Sequence, residues 1–135
     1  MILVGVYMQN NASLSQITLF LNEFKKCAEE DKIDNSEVKP KTTNFLRSIG
    51  WTLKAMNNYI VENIKPQHYF QGPTEHHWED DRSVVEFGMR LEDVALYVKI
   101  ELIIRNDEFI SGFMSFHPRE KAIDFFPLDD KGEVS

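Results

Sequence analysis

The stretch Val84–His117, VVEFGMRLEDVALYVKIELIIRNDEFISGFMSFH, decides the fold, because its apolar residues recur at every second position. That is the period of a strand, whose successive side chains point to opposite faces. Val85, Phe87, Met89 and Leu91 share one parity, and Glu92-Asp93 then turns the chain. Leu96, Val98, Ile100, Leu102 and Ile104 share one parity in the longest and central strand, and Asn106-Asp107 makes the next turn. In the third strand Ile110, Met114 and Phe116 fall on the core side with Gly112 among them, and Ser111, Phe113, Ser115 and His117 on the other. The pattern predicts a three-strand antiparallel meander with its apolar parity covered. Glu86, Arg90, Tyr97, Lys99, Glu101, Ser115 and His117 then collect on the second face. Carboxylates, cations, a phenol and an imidazole on one surface are the groups that proton transfer uses.

Upstream the period changes to three and four. Leu14, Ile17, Leu21, Phe24 and Ala28 form a helical stripe with Ser13 as N-cap, predicting a helix to about Asp31. Asp31–Lys41 is polar, carries Asp34-Asn35-Ser36 and Pro40, and reads as a surface loop. Thr42 or Thr43 caps a short helix through Phe45, Leu46 and Ile49 that stops at Gly50, which suits the left-handed position after a helix. Thr52 caps a third, with Leu53, Met56, Tyr59, Ile60 and Ile64 inward, ended by Lys65-Pro66. Helices followed by strands give an α+β fold with the helices packed on one face of a twisted antiparallel sheet.

Between helices and strands lies Gln67–Ser83, QHYFQGPTEHHWEDDRS, long for a simple connection. His68, His76, His77, Glu75, Glu79, Asp80 and Asp81 have metal-binding chemistry, but adjacent histidines do not converge from a helix or a strand. No metal and no cofactor is therefore expected. The competing reading is a solvated acidic loop pinned to the core by Tyr69, Phe70 and Trp78.

The 135 residues fit one domain, 1–135, with an ordinary apolar fraction of 42%. The lone Cys27 allows no internal disulfide and lies on the helical stripe, so it reads as a buried structural thiol in a reducing, cytoplasmic setting. Met1–Met8 is apolar but far short of the roughly 20 residues of a membrane span and lacks a basic lead, so no membrane association follows. Residues 1–12 either fray or add an edge strand, and 128–135 reads as a disordered tail. The net charge is −7, and residues 71–135 carry fifteen Asp and Glu against seven Lys and Arg. Such a balance excludes tight nonspecific binding to phosphate backbones and leaves room only for a local basic patch.

Thr43-Asn44-Phe45-Leu46, Ile49-Gly50, Tyr69-Phe70-Gln71-Gly72-Pro73, Glu86-Phe87-Gly88, Leu96-Tyr97-Val98-Lys99-Ile100 and Ser115-Phe116-His117 follow one another in an order that resembles the motility quorum-sensing regulator (MqsR) family. These are small toxins of bacterial toxin–antitoxin pairs, and the likeness spans about residues 20–127. The resemblance implies a RelE-like fold, metal-independent endoribonuclease activity on messenger RNA, and a cognate antitoxin as partner. Tyr97 matches the family's strand tyrosine. Gln71 stands where the loop commonly has a lysine, His117 where the last strand does, and Val85 where relatives tend to have tryptophan.

Cleaving RNA without a metal needs a base for the 2′-hydroxyl, an acid for the leaving 5′-oxygen and a cation for the phosphorane charge. On the second face His117 is the residue type whose ordinary pKa, about 6.5, suits proton exchange near neutrality. Tyr97 and Gln71 complete the catalytic set, and Lys99, Arg90, Arg119 and Tyr69 are the expected substrate-binding residues. Two other readings stay open. The face is a solvated ladder of cross-strand charges, or the chain is an acidic interaction or inhibitor protein without catalysis, its surface built from Glu75–Asp81, Asp124, Asp129 and Asp130.

Overall fold

The computed structural model describes residues 12–73 and 81–120. Residues 1–11, most of the histidine- and acid-rich run (74–80) and the expected tail lie outside the described residues. Helix α1 (Leu14–Glu29) is followed by a short strand β1 (Ile33–Asp34), then helices α2 (Pro40–Ile49) and α3 (Leu53–Asn63). A 3-10 turn (Pro66–His68) leads into β2 (Tyr69–Gln71), and β3 (Arg82–Leu91), β4 (Val94–Arg105) and β5 (Glu108–Pro118) follow. The fold is α+β: among the described residues three helices and a five-stranded sheet of order β1-β5-β4-β3-β2.

Local chemistry explains the ends. Ser13 Oγ accepts from Gln16 N while the Gln16 side chain accepts from Ser13 N, a reciprocal cap, and Thr52 Oγ1 caps α3 by accepting from Ala55 N. Gly50 ends α2 at φ +74°. The β3–β4 hairpin turns at Glu92-Asp93, and the β4–β5 hairpin at Asn106-Asp107, where φ values of 55° and 64° suit residue types that tolerate the left-handed region.

The helices cover one sheet face. Ile17, Leu21 and Phe24 of α1, Leu46 of α2 and Met56 and Ile60 of α3 enclose Val85, Phe87, Val98, Ile100, Phe113 and Phe116. Phe45, Trp51 and Tyr59 surround Phe116 at ring-centroid distances of 6.0–6.1 Å. Aromatic contacts of this kind add to the area they bury.

Several expectations need correction. The sheet is mixed, not purely antiparallel: Ile33-Asp34, read as loop, pairs in parallel with Ser111-Gly112 of β5, a strand too short for any period to show. The buried stripe of α1 is Ile17, Leu21, Phe24 and Cys27, while Leu14 is 72% exposed in the first turn. Helix α2 starts at Pro40, whose fixed φ suits a first turn, and Thr42 caps the sheet: its Oγ1 accepts from Phe116 N at 2.8 Å. With Lys39 N donating to Met114 O at 3.0 Å, that contact closes the β5 edge beyond β1.

The parity of β5 also changes within the strand. Lys99 pairs with Ser115 but Ile100 with Phe113, so a bulge at Met114 re-phases the alternation. Phe113 and Ser111 therefore face the helices with Phe116, and Ser111 Oγ donates to Phe24 O. Ile110 and Gly112 are on the other side.

Candidate functional site

The second face divides into two halves. At the Arg82 end it is closed: Val84, Ile103 and Glu101 are 2%, 3% and 1% exposed, so Glu101 does not share an open surface with Tyr97 and Lys99. Glu101 is held by a two-pronged ion pair, Arg82 Nε to Oε1 at 2.9 Å and Arg82 Nη2 to Oε2 at 2.7 Å. Gly112 lies directly opposite Glu101, and a Cβ there would come within 2.6 Å of Glu101 Cγ. The missing side chain is what lets the carboxylate lie flat and be buried.

The other half gathers the predicted site. Across β3, β4 and β5, Glu86 pairs with Lys99 and Lys99 with Ser115; the next row is Gly88, Tyr97 and His117. Beyond them Arg90 sits opposite Ala95, whose carbonyl accepts from Arg119 N at 3.1 Å. Strand spacing puts the Arg90 and Arg119 Cα atoms about 10 Å apart, on either side of the small Ala95. Tyr97, Lys99, Glu86, Arg90, His117 and Arg119 are all half-buried.

Tyr97 is the hub. Its hydroxyl donates to Glu86 Oε1 at 2.8 Å, and Gly88 opposite places no side chain beside the phenol. Burial first, then the Glu86 charge and hydrogen bond, raise the Tyr97 phenol well above its ordinary range, so it acts as a donor and a ring, not a base. The His117 and Tyr97 rings lie 5.5 Å apart. His117 Nδ1 sits 2.9 Å from Pro118 O, and because a carbonyl only accepts, Nδ1 carries the hydrogen and Nε2 is left to exchange a proton. Lys99 makes no ion pair with any described residue.

Gln71 reaches this group through a second irregularity. Tyr69 pairs with Phe87 but Gln71 with Glu86, and the shift turns Gln71 onto the Tyr97 side, where its Nε2 donates to Glu86 Oε2 at 3.1 Å. Tyr69 is thereby separated from the site. It packs on Phe87 on the helix side, and its hydroxyl donates to Gly72 O and accepts from Ala12 N, so it pins the chain and does not reach the second face.

His68 is also spent inside the fold. It is 7% exposed, its Nδ1 accepts from Lys65 N at 3.0 Å, and burial, then the Lys65 and Lys25 charges, lower its pKa to about 4. Among the described residues no three His, Cys, Asp or Glu side chains meet in a way that could hold a metal ion. His76, His77, Glu75, Glu79, Asp80 and Trp78 lie outside the described residues. Cys27 is buried beside Glu23, and burial and that hydrogen bond push its thiol up to about 11, an inert structural group.

Sequence reasoning placed Glu86 on the second face without identifying its partners. The signal that it is the anchor of Tyr97 and Gln71 was present in Gly88, a residue without a side chain in an otherwise bulky strand. A shallow groove of about 430 Å³ adjoins the site where β5 ends, lined by Phe45 of α2 and by His117. Among the described residues no helix is long and apolar enough to cross a membrane. No protein-family model, curated protein or solved structure matches this chain.

Proposed function

We propose that this chain is a metal-independent endoribonuclease acting on single-stranded messenger RNA, the cytoplasmic toxin of a bacterial toxin–antitoxin pair on a RelE-like variant of the α+β fold, with a cognate antitoxin as partner. The observation that carries this reading is the convergence of His117, Tyr97, Glu86 and the cations Lys99, Arg90 and Arg119 on one half-buried sheet face. The resemblance to the motility quorum-sensing regulator family points the same way.

In the reaction the RNA 2′-oxygen attacks the adjacent phosphorus and the P–O5′ bond breaks. Glu86, whose two oxygens each accept one hydrogen bond and keep a second lone pair, takes the 2′-hydroxyl proton. His117 returns a proton from Nε2 to the 5′-oxygen. Lys99, Arg90 and Arg119 bind the phosphate and offset the charge that grows on it, and Tyr97 offers its ring for stacking. Gln71 holds Glu86 in place. The products are a 2′,3′-cyclic phosphate and a 5′-hydroxyl.

The acidic interaction protein draws on the net charge of −7. The surface it would use, Glu75–Asp81, Asp124, Asp129 and Asp130, lies outside the described residues except for Asp81, and of the second-face carboxylates Glu101 is 1% exposed and paired with Arg82. Incubating the purified chain with single-stranded RNA in excess chelator tests the choice. Fragments with cyclic-phosphate and 5′-hydroxyl ends are expected; RNA left intact around neutral pH would sink the ribonuclease reading and favour the interaction protein.

A further inference from the structure

The groove beside His117 is not used by the cleavage chemistry, yet it opens directly from it. It is lined by His117, Pro118, Arg119 and Glu120 where β5 ends and by Lys41, Asn44 and Phe45 of α2. Its volume of about 430 Å³ falls within the range of about 300–1,000 Å³ typical of small-ligand sites.

The lining has a particular chemistry. Phe45 is a fixed platform, its ring backed by Phe116 at 6.1 Å in the aromatic cluster under the sheet. Asn44 Oδ1 accepts from Arg47 Nη1 at 3.1 Å, and the Asn44 amide nitrogen, with two N–H donors, makes no hydrogen bond to a described residue. Lys41 Nζ meets the Glu120 carboxylate at 2.6 Å, and with side chains 62% and 57% exposed the pair presents a donor and an acceptor side by side at the rim. A flat aromatic surface, an amide and an adjacent donor–acceptor pair match the face and edge of an unstacked nucleobase. A free phosphate would have no use for the ring.

We infer that this groove is the base-recognition subsite of the proposed ribonuclease, taking the nucleobase that flanks the scissile phosphate. The inference rests on the ribonuclease reading and extends it to sequence choice. The base stacks on Phe45, its edge is read by Asn44 and by the Lys41–Glu120 pair, and Arg119 and His117 hold the connecting phosphate at the mouth. Asn44 and Phe45 are thus specificity-determining residues on a helix, set apart from the sheet residues that move protons. Stacking of one base on an aromatic ring is worth about 1–3 kcal/mol, roughly 5-fold to 150-fold in binding.

The test is cleavage of a random-sequence single-stranded RNA pool by wild type, Asn44→Ala and Phe45→Leu, with every cut end mapped and each variant's melting checked. Wild type should favour one base at one position beside the cut. Asn44→Ala, a substitution at an exposed helix position, should erase that preference by about tenfold or more at that position alone. Phe45→Leu, which keeps the apolar contact to Phe116, should weaken cleavage by at least fivefold through KM. Active variants with the wild-type base preference would overturn the groove and leave the ribonuclease standing. A wild type that cuts no RNA would overturn both.

Discussion

At one end of the sheet face that looks away from the helices, Arg82 closes a two-pronged ion pair on Glu101, which is 1% exposed; at the other, Glu86, Tyr97, Lys99 and His117 lie half-buried. Both groups arise from the same strands and the same alternation. What separates them is satisfaction. Every oxygen of Glu101 faces a guanidinium nitrogen, so that end can only hold the sheet together. The Tyr97 end keeps His117 Nε2 and the Lys99 ammonium uncommitted to any described residue, so it has groups left for a substrate. Charge on a sheet face is therefore no sign of function until its partners are counted.

Breaking the closed end should have the largest effect on stability. Arg82→Ala leaves Glu101 as a buried carboxylate without its partner and should destabilise by about 3–5 kcal/mol. Glu101→Ala should cost less, about 1–3 kcal/mol, because Arg82 is 23% exposed and can turn toward water. Denaturant titrations with unchanged slope would measure both; losses under about 0.5 kcal/mol in each would show that the pair holds nothing.

A second contrast sets His68 against His117. Because the folded pKa of His68 is lowered from 6.5 to about 4, the unfolded chain binds more protons between those values. Stability should therefore be full above about pH 6.5 and fall as pH drops toward 4, by up to about 1.4 kcal/mol per unit and no more than about 3.5 kcal/mol in all. His68→Asn should flatten that slope in melts taken across the window. An unaltered slope would assign the acid sensitivity to other groups.

The smallest effects belong to the half-buried end. Tyr97→Phe deletes the hydrogen bond to Glu86 and should cost about 1 kcal/mol of stability. Lys99→Ala should leave stability nearly unchanged and reduce the salt dependence of RNA binding by about one counterion. A loss of several kcal/mol in either variant would make this end as structural as the other.

Much of this was legible in the residues. Ser13, Gly50 and Thr52 mark helix ends by cap chemistry, and the unbroken alternation of Leu96–Ile104 places Tyr97 and Lys99 on the second face without ambiguity. The pairing of Tyr97 with His117 followed because alternation resumes after the bulge. Other features were out of reach. A bulge changes parity without changing composition, which is why Phe113 was read as outward and why Gln71 could not be joined to Glu86. Strand β1 has two residues, too few for a period. Glu101 shares its parity with Tyr97 and Lys99, and only the pairing with Gly112 and Arg82, set by long-range register, shows that it is buried.

The central claim is that the half-buried end does chemistry, and His117→Ala tests it most directly. The measurement is the single-turnover rate of RNA cleavage in chelator, with thermal melting recorded on the same preparation. The account predicts a rate lower by about 10² to 10⁴, the usual contribution of a positioned proton-transfer group, at an unchanged melting temperature. A rate within about threefold of wild type, from a protein that cleaves RNA, would contradict the assignment of His117.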